Sequence, residues 1–304
     1  MYSYTMPQWL FFFYFYCFFG WCFESAYVSL LKKHPVNRGF MRGPFLPLYG
    51  SGAIMMLLVS MPFQDYIVLT YIAGCIGATI LEYVTGVTME ALFKVRYWDY
   101  SNQKFNYKGQ VCLSSTLAWG GLTILMTRVV HKPIESFALS IPEDIVLGVV
   151  FIVTILVVVD FSLSFKAAID LRDILVKMDK AKEEMEHIQK RLDVIIAVAN
   201  EDREIKKQAR EEKLEELVLG IEESLNGIKE RIQTGAASYP DNIKDEILDL
   251  RTKFKISLSN HGQLKELKDF YKRQMIKGNP NMVSSKFKDV LQELKEAVEE
   301  RSKK

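Results

Sequence analysis

LEYVTGVTMEALF, residues 81–93, sets Glu82, Gly86 and Glu90 at spacings of four, on one face of an otherwise apolar helix. The apolar run IVLTYIAGCIGATI precedes it, so the whole segment is long enough to cross about 30 Å of hydrocarbon. A carboxylate inside a bilayer costs about 2.5–3.5 kcal/mol on insertion scales unless it is paired or faces water. A span that keeps two glutamates on one face therefore turns that face to other helices. Further charges lie outward along the chain in GWCFES (20–25), NRGFMRGPFLPLYG (37–50) and VRYWDY (95–100). Glu24, Arg38, Arg42, Glu82, Glu90 and Asp99 thus fall inside or at the edges of apolar segments.

Over 304 residues the composition is 49% hydrophobic and 25% charged, an average that conceals a change near residue 165. Before it the chain is apolar and aromatic; after it Lys, Glu, Asp and Arg dominate. The expected fold is all-α: a polytopic membrane bundle of about five spans over residues 1–165, then a cytoplasmic helical, partly coiled-coil tail over 166–304. The net charge of +2 is a near-cancellation of 39 basic and 37 acidic residues. Without a clustered basic face, nucleic acid is not an expected partner. Cys17, Cys22, Cys75 and Cys112 have no CxxC spacing and read as small packing residues.

Five spans are expected, at about 8–28, 44–61, 66–93, 110–126 and 145–165, with a mixed loop carrying Arg128, Lys132 and Glu135 before the last. Ser140 to Glu143 reads as a capping box for that last span. Basic residues follow span one (Lys32, Lys33, Arg38, Arg42) and span three (Lys94, Arg96, Lys104, Lys108), whereas the link PFQD after span two has none. By the positive-inside rule the N-terminus is external and the tail cytoplasmic.

The tail continues span five directly. Leu171, Leu175, Met178, Met185, Ile188, Leu192 and Ile195 form an apolar seam at threes and fours, and Leu214 to Ile232 resume it after the polar stretch 201–213. Such a seam suits self-association or a partner helix, with an intramolecular hairpin as the other option. TGAASYPDN breaks the pattern, and helices fit about 242–258, 263–276 and 285–300, the last capped by Ser284 or Ser285.

With this polarity Glu24, Arg38, Arg42, Glu82, Glu90, Trp98, Asp99, Tyr100 and Asn106 converge on the cytoplasmic half of the bundle. Two readings fit them. They are structural ion pairs with an aromatic belt, or they line a polar site facing a ligand. Asn37-Arg38-Gly39 and Arg42-Gly43-Pro44 put two guanidinium groups and free amides near one another, which suits a phosphate or carboxylate. Positive-inside orientation alone also demands such arginines. The acidic groups suit counter-charge, proton relay or acid–base work. No HExxH, Cys/His cluster, hydrolase triad or GxxxxGK[ST] occurs; His34 and His131 read as lone loop histidines, and His187 and His261 of the tail as solvated. No metal or cofactor is expected, and any ATP-driven role calls for a separate ATPase.

The motifs GWCFES, NRGFMRGPFLPLYGSGA, LEYVTGVTMEALF and RYWDYS, with Gly109 and then Trp119-Gly120, resemble the bacterial membrane proteins grouped as ABC-transporter type IV permeases. The tail's RQMIKGNPNMVSSKFKDVLQELK is similar to the ends of tailed members. The resemblance covers roughly residues 10–125 of the membrane part and carries over Glu24, Arg38, Gly39, Gly43, Pro44, Tyr49, Gly50, Glu82, Tyr83, Glu90, Trp98, Asp99, Tyr100, Asn106, Gly109 and Trp119. Phe93-Lys94 departs from it, where a glycine-containing turn is expected.

The expectation is then a multi-pass permease of the bacterial plasma membrane, taking a small or amphiphilic anion at a cytoplasmic-side site. Its expected partners are membrane lipid, a second copy of the chain and a separate ATPase subunit. An inner-leaflet enzyme acting on lipid or headgroup phosphate is one alternative. A membrane-anchored scaffold acting through its tail is another.

Overall fold

The computed structural model describes residues 4–199, 214–233 and 241–303. Ten α-helices are described: α1 (Met6–Lys32), α2 (Pro47–Ser60), α3 (Ile67–Phe93), α4 (Leu113–Leu125), α5 (His131–Ser140), α6 (Glu143–Ala199), α7 (Leu214–Gln233), α8 (Asp241–Lys265), α9 (Phe270–Gly278) and α10 (Lys288–Lys303). The described extended pairing is slight. A two-residue antiparallel hairpin joins β1 (Asn106–Tyr107) to β2 (Val111–Cys112), and Arg96 bridges Val283. The fold is all-α, as expected.

Two compact units emerge, Met1–Arg172 with Lys268–Lys304, and Asp173–Leu267. Residues 268–304 thus group with the first unit, a pairing that the 165/166 sequence division does not carry.

In the first unit the helices are inverted relative to a soluble protein. α3 buries Thr70, Gly74, Gly77, Ala78, Glu82 and Gly86 and exposes Ile72, Ile76, Ile80, Val84 and Val87. Small and polar residues inside with branched aliphatics outside is the pattern of a helix in lipid. The glycines set the helix contacts. A Cβ on Gly50 would stand 2.7 Å from the Phe13 carbonyl oxygen of α1, and one on Gly77 2.8 Å from the Val59 side chain.

Three helices among the described residues are long and apolar enough to cross a membrane: Ile67–Phe93, Leu113–Ser140 and Glu143–Ile196. α1 is as long as α3, at 27 residues, but owes its apolarity to Phe, Tyr and Trp rather than to aliphatics. Pro47–Phe63 is a shorter apolar helix, its final turn 3₁₀ in form.

The structure corrects several boundaries. The expected loop around Arg128 and Lys132 is helical throughout. α4 passes through a π-helical segment, Met126–Val130, straight into α5. Arg128 donates to the Gln64 carbonyl at 2.8 Å, and Glu135 accepts from the Tyr4 hydroxyl, so these two charged side chains find partners without leaving the helix. Ser140 closes α5, donating to the Phe137 carbonyl at 2.7 Å, rather than capping α6. His131, read as a lone loop histidine, is fully buried and bonds the Tyr16 hydroxyl at 2.8 Å and that of Tyr4 at 3.1 Å. His261 is buried as well. At the departure from the family pattern, Lys94 takes the left-handed conformation (φ 60°) that ends α3 and ordinarily favours glycine.

In the second unit the apolar seam is covered from within the chain. Met185, Ile188, Leu192 and Ile195 of α6 pack with Leu217, Ile221 and Ile228 of α7 and with Leu250 and Phe254 of α8. Arg191 reaches Glu246 through two hydrogen bonds, of 2.5 and 3.1 Å, tying α6 to α8. Intramolecular packing therefore satisfies the stripe that suggested self-association. The polar stretch 201–213 lies outside the described residues, as does most of the TGAASYPDN break. The helix expected over 263–276 is divided, with α8 ending at Lys265 and α9 beginning at Phe270. Ser284 accepts the Phe287 amide at 3.0 Å, a capping contact just ahead of α10.

Candidate functional site

The polar residues of the first unit lie in three groups. The first joins α1 to the loop before α2. Glu24, on the penultimate turns of α1, meets the Arg38 Nε at 3.3 Å through Oε2, and its Oε1 accepts from the Tyr49 hydroxyl of α2 at 2.8 Å. The loop folds back because Ser29 and Ser25 accept the Val36 and Arg38 amides, and because Trp21 donates to Asn37 at 2.6 Å. Gly39, at φ 128°, supplies a backbone turn that side chains rarely adopt. The Gly43 amide donates to Asp160 of α6 at 2.8 Å, fixing the far end of the loop.

Glu82, 6% exposed, is the centre of the second group. It accepts from the Tyr100 hydroxyl at 2.9 Å, the Trp119 indole at 3.0 Å and the Ser115 hydroxyl at 3.3 Å. All three donors are neutral. Tyr100 comes from the loop after α3, whereas Ser115 and Trp119 share a face of α4. Burial, followed by the neighbouring Glu82 charge, pushes the Tyr100 phenol above its ordinary range, so it stays a donor.

Glu90, Arg96 and Asp99 form the third group. Arg96 Nε lies 2.8 Å from Glu90 and its Nη1 3.7 Å from Asp99. Gln110 also donates to Glu90, at 2.6 Å, and the Trp98 indole donates to the Gln110 carbonyl at 2.9 Å. Asn106 accepts the Gly109 amide at 3.1 Å and donates to the carbonyls of Ser101 and Gln103, so it shapes the hairpin turn.

The expected residues are brought together in this order: Glu24 with Arg38, Glu82 with Tyr100, and Glu90 with Asp99 through Arg96. Trp98 lines the third group and Asn106 supports its loop. Arg42 is placed apart, its guanidinium 4.8 Å from the Phe270 ring centre and 4.9 Å from that of Tyr271. Arg38 and Arg42 thus have separate intrachain partners.

Ser115, Gln110, Arg96, Gly278 and Asn279 were missed from the sequence as participants. Arg96 reads there as one more positive-inside loop residue. The tail contributes Gly278 and Asn279, whose oxygens accept from Arg38 Nη1 at 3.1 and 3.0 Å. The sequence signal was GNPN, which reads as a bare turn.

The arrangement offers a guanidinium at the rim of a polar network, a buried carboxylate held by neutral donors, and a second carboxylate pair around one arginine. Among the described residues no group of three or more His, Cys, Asp or Glu could hold a metal ion. No curated protein and no solved structure matches the chain. The model of a family described as "Putative ABC-transporter type IV" matches residues 11–165, more than half of the chain's 304 residues. This membrane protein belongs to that family.

Proposed function

We propose that the chain is the membrane-spanning subunit of a transporter, taking a small or amphiphilic anion at the polar end of its helical bundle. The observation that carries this reading is the pair of polar groups, Arg38–Glu24–Tyr49 and Tyr100–Glu82, inside a unit whose exposed large side chains are apolar. Arg38 holds the anion, aided by Arg42, Trp98 and Tyr100. Glu24, Glu82 and Glu90 supply counter-charge or proton coupling, and Asp99 and Asn106 fix the loop. A separate ATPase powers the cycle, since the chain has no nucleotide loop of its own. On this reading the site and the tail are on the cytoplasmic side of a bacterial plasma membrane with the N-terminus outside, an orientation supported by the basic loops. Five helical segments are few for a pathway, so two copies assemble around it, with membrane lipid as their surround.

Ligand-dependent thermal stability tests the reading. A ligand that binds only the folded state raises its unfolding temperature. Titrating phosphatidylglycerol or inorganic phosphate should therefore stabilise the detergent-purified wild type and leave Arg38→Ala/Arg42→Ala unmoved. An identical shift in both proteins rejects the arginine site.

One observation favours a second reading, a membrane-anchored scaffold: Arg38 already bonds Glu24 through Nε, and Gly278 and Asn279 through Nη1. On that reading Arg38→Ala lowers stability and changes no ligand effect.

A further inference from the structure

The C-terminal segment of the first unit approaches Arg38 as a ligand would. Arg38 Nη1 donates to two neutral oxygens, the Gly278 carbonyl at 3.1 Å and Asn279 Oδ1 at 3.0 Å. The side-chain nitrogen of Asn279 donates to the Gly39 carbonyl at 2.9 Å and to the Met275 carbonyl at 2.9 Å. One buried amide thus joins the arginine loop to α9. Gly278 permits the approach, because a Cβ there would lie 2.5 Å from the Asn37 carbonyl oxygen.

The same segment is tethered a second time. Arg96 and Val283 exchange backbone hydrogen bonds of 2.7 and 2.9 Å. Ser284 donates to the Lys94 carbonyl at 2.7 Å and Ser285 to Glu90 at 3.3 Å. The turn therefore stands at high effective concentration beside Arg38. Its contacts there are two neutral oxygens on one guanidinium nitrogen, whereas a phosphate brings negative charge and can bridge two guanidinium nitrogens at once. An occupant without charge can be displaced by an anion.

We propose that the Gly278-Asn279 turn is a built-in, displaceable occupant of the Arg38 anion site, exchanging with a phosphate-bearing ligand. Ligand binding frees the turn from Arg38 and loosens the segment's grip on the two loops, whereas an empty site is closed by the chain itself. The inference rests on Arg38 being an anion site.

The test uses the full chain in nanodiscs, with two probes: radiolabelled inorganic phosphate in zwitterionic lipid, and phosphatidylglycerol added to that lipid. Asn279→Ala and Gly278→Ala should each bind at least one probe about tenfold more tightly than wild type. Saturating that probe should also speed hydrogen exchange at the Val283 amide of the wild type. Arg38→Ala should abolish both effects. Whichever probe responds identifies the ligand as a lipid headgroup or a soluble phosphate. Arg38-dependent binding of equal strength in wild type and both turn variants, with unchanged Val283 exchange, overturns the displaceable turn and leaves the anion site standing. Binding that is absent throughout, or indifferent to Arg38→Ala, overturns both. The exchange measurement needs only wild type, so poor folding of a variant does not blunt it.

Discussion

Buried and accepting from Tyr100, Ser115 and Trp119, Glu82 is the acceptor on which three donors depend. Glu82→Leu strands those donors and should destabilise the protein by about 3 kcal/mol, since each unsatisfied buried group costs about 1–3 kcal/mol. Glu82→Gln keeps one acceptor oxygen and should cost markedly less. Thermal unfolding in detergent distinguishes them, and equal losses would show that the carboxylate's bonds matter little. Burial raises the Tyr97 and Tyr100 phenols, for Tyr100 with the Glu82 charge adding to it. A raised folded-state value means that their stabilising share is complete below about pH 10 and is lost as pH rises through the folded value. In an alkaline ultraviolet titration these two tyrosines should ionise late, together with unfolding. Early, reversible ionisation of all fourteen tyrosines would contradict their burial. At this scale the sequence exposes Glu82 and Glu90 by their spacing. Arg96 stays hidden, because a loop arginine looks the same whether it orients the chain or grips two carboxylates.

α3 is legible almost to the residue, expected at 66–93 and found at Ile67–Phe93, because a long apolar run has few alternatives. The 131–140 helix is not legible. Its His131 and Glu135 find partners far along the chain, Tyr16 and Tyr4, and periodicity reports nothing of them. The same blindness hides the return of residues 268–304, whose contacts with Arg38, Lys94 and Arg96 span about two hundred residues of sequence. α9 and its turn cover the loop that carries Arg38 and Arg42. Removing residues 268–304 should accordingly make that loop several-fold more sensitive to trypsin at Arg38 and Arg42 in inside-out vesicles. Unchanged cleavage would mean that the segment does not shield it.

For the molecule as a whole, composition divides an apolar stretch from a charged one, while packing returns the last segment to the first unit. The sequence shows the change in solvent, and only tertiary contact shows the return. The basic loops predict a cytoplasmic hairpin. With the four native cysteines replaced, Phe105→Cys, at a position 81% exposed, should react with an impermeant maleimide from the inner side only. Labelling from outside would invert the topology and move the polar network to the other face. The measurement that bears most directly on the central claim is native mass spectrometry of the protein purified in mild detergent, comparing wild type with Arg38→Ala/Arg42→Ala. The account predicts a phosphate- or carboxylate-bearing molecule retained by wild type and absent from the variant. The same bound complement in both proteins would contradict it, leaving the arginines as orientation signals and staples for the tail.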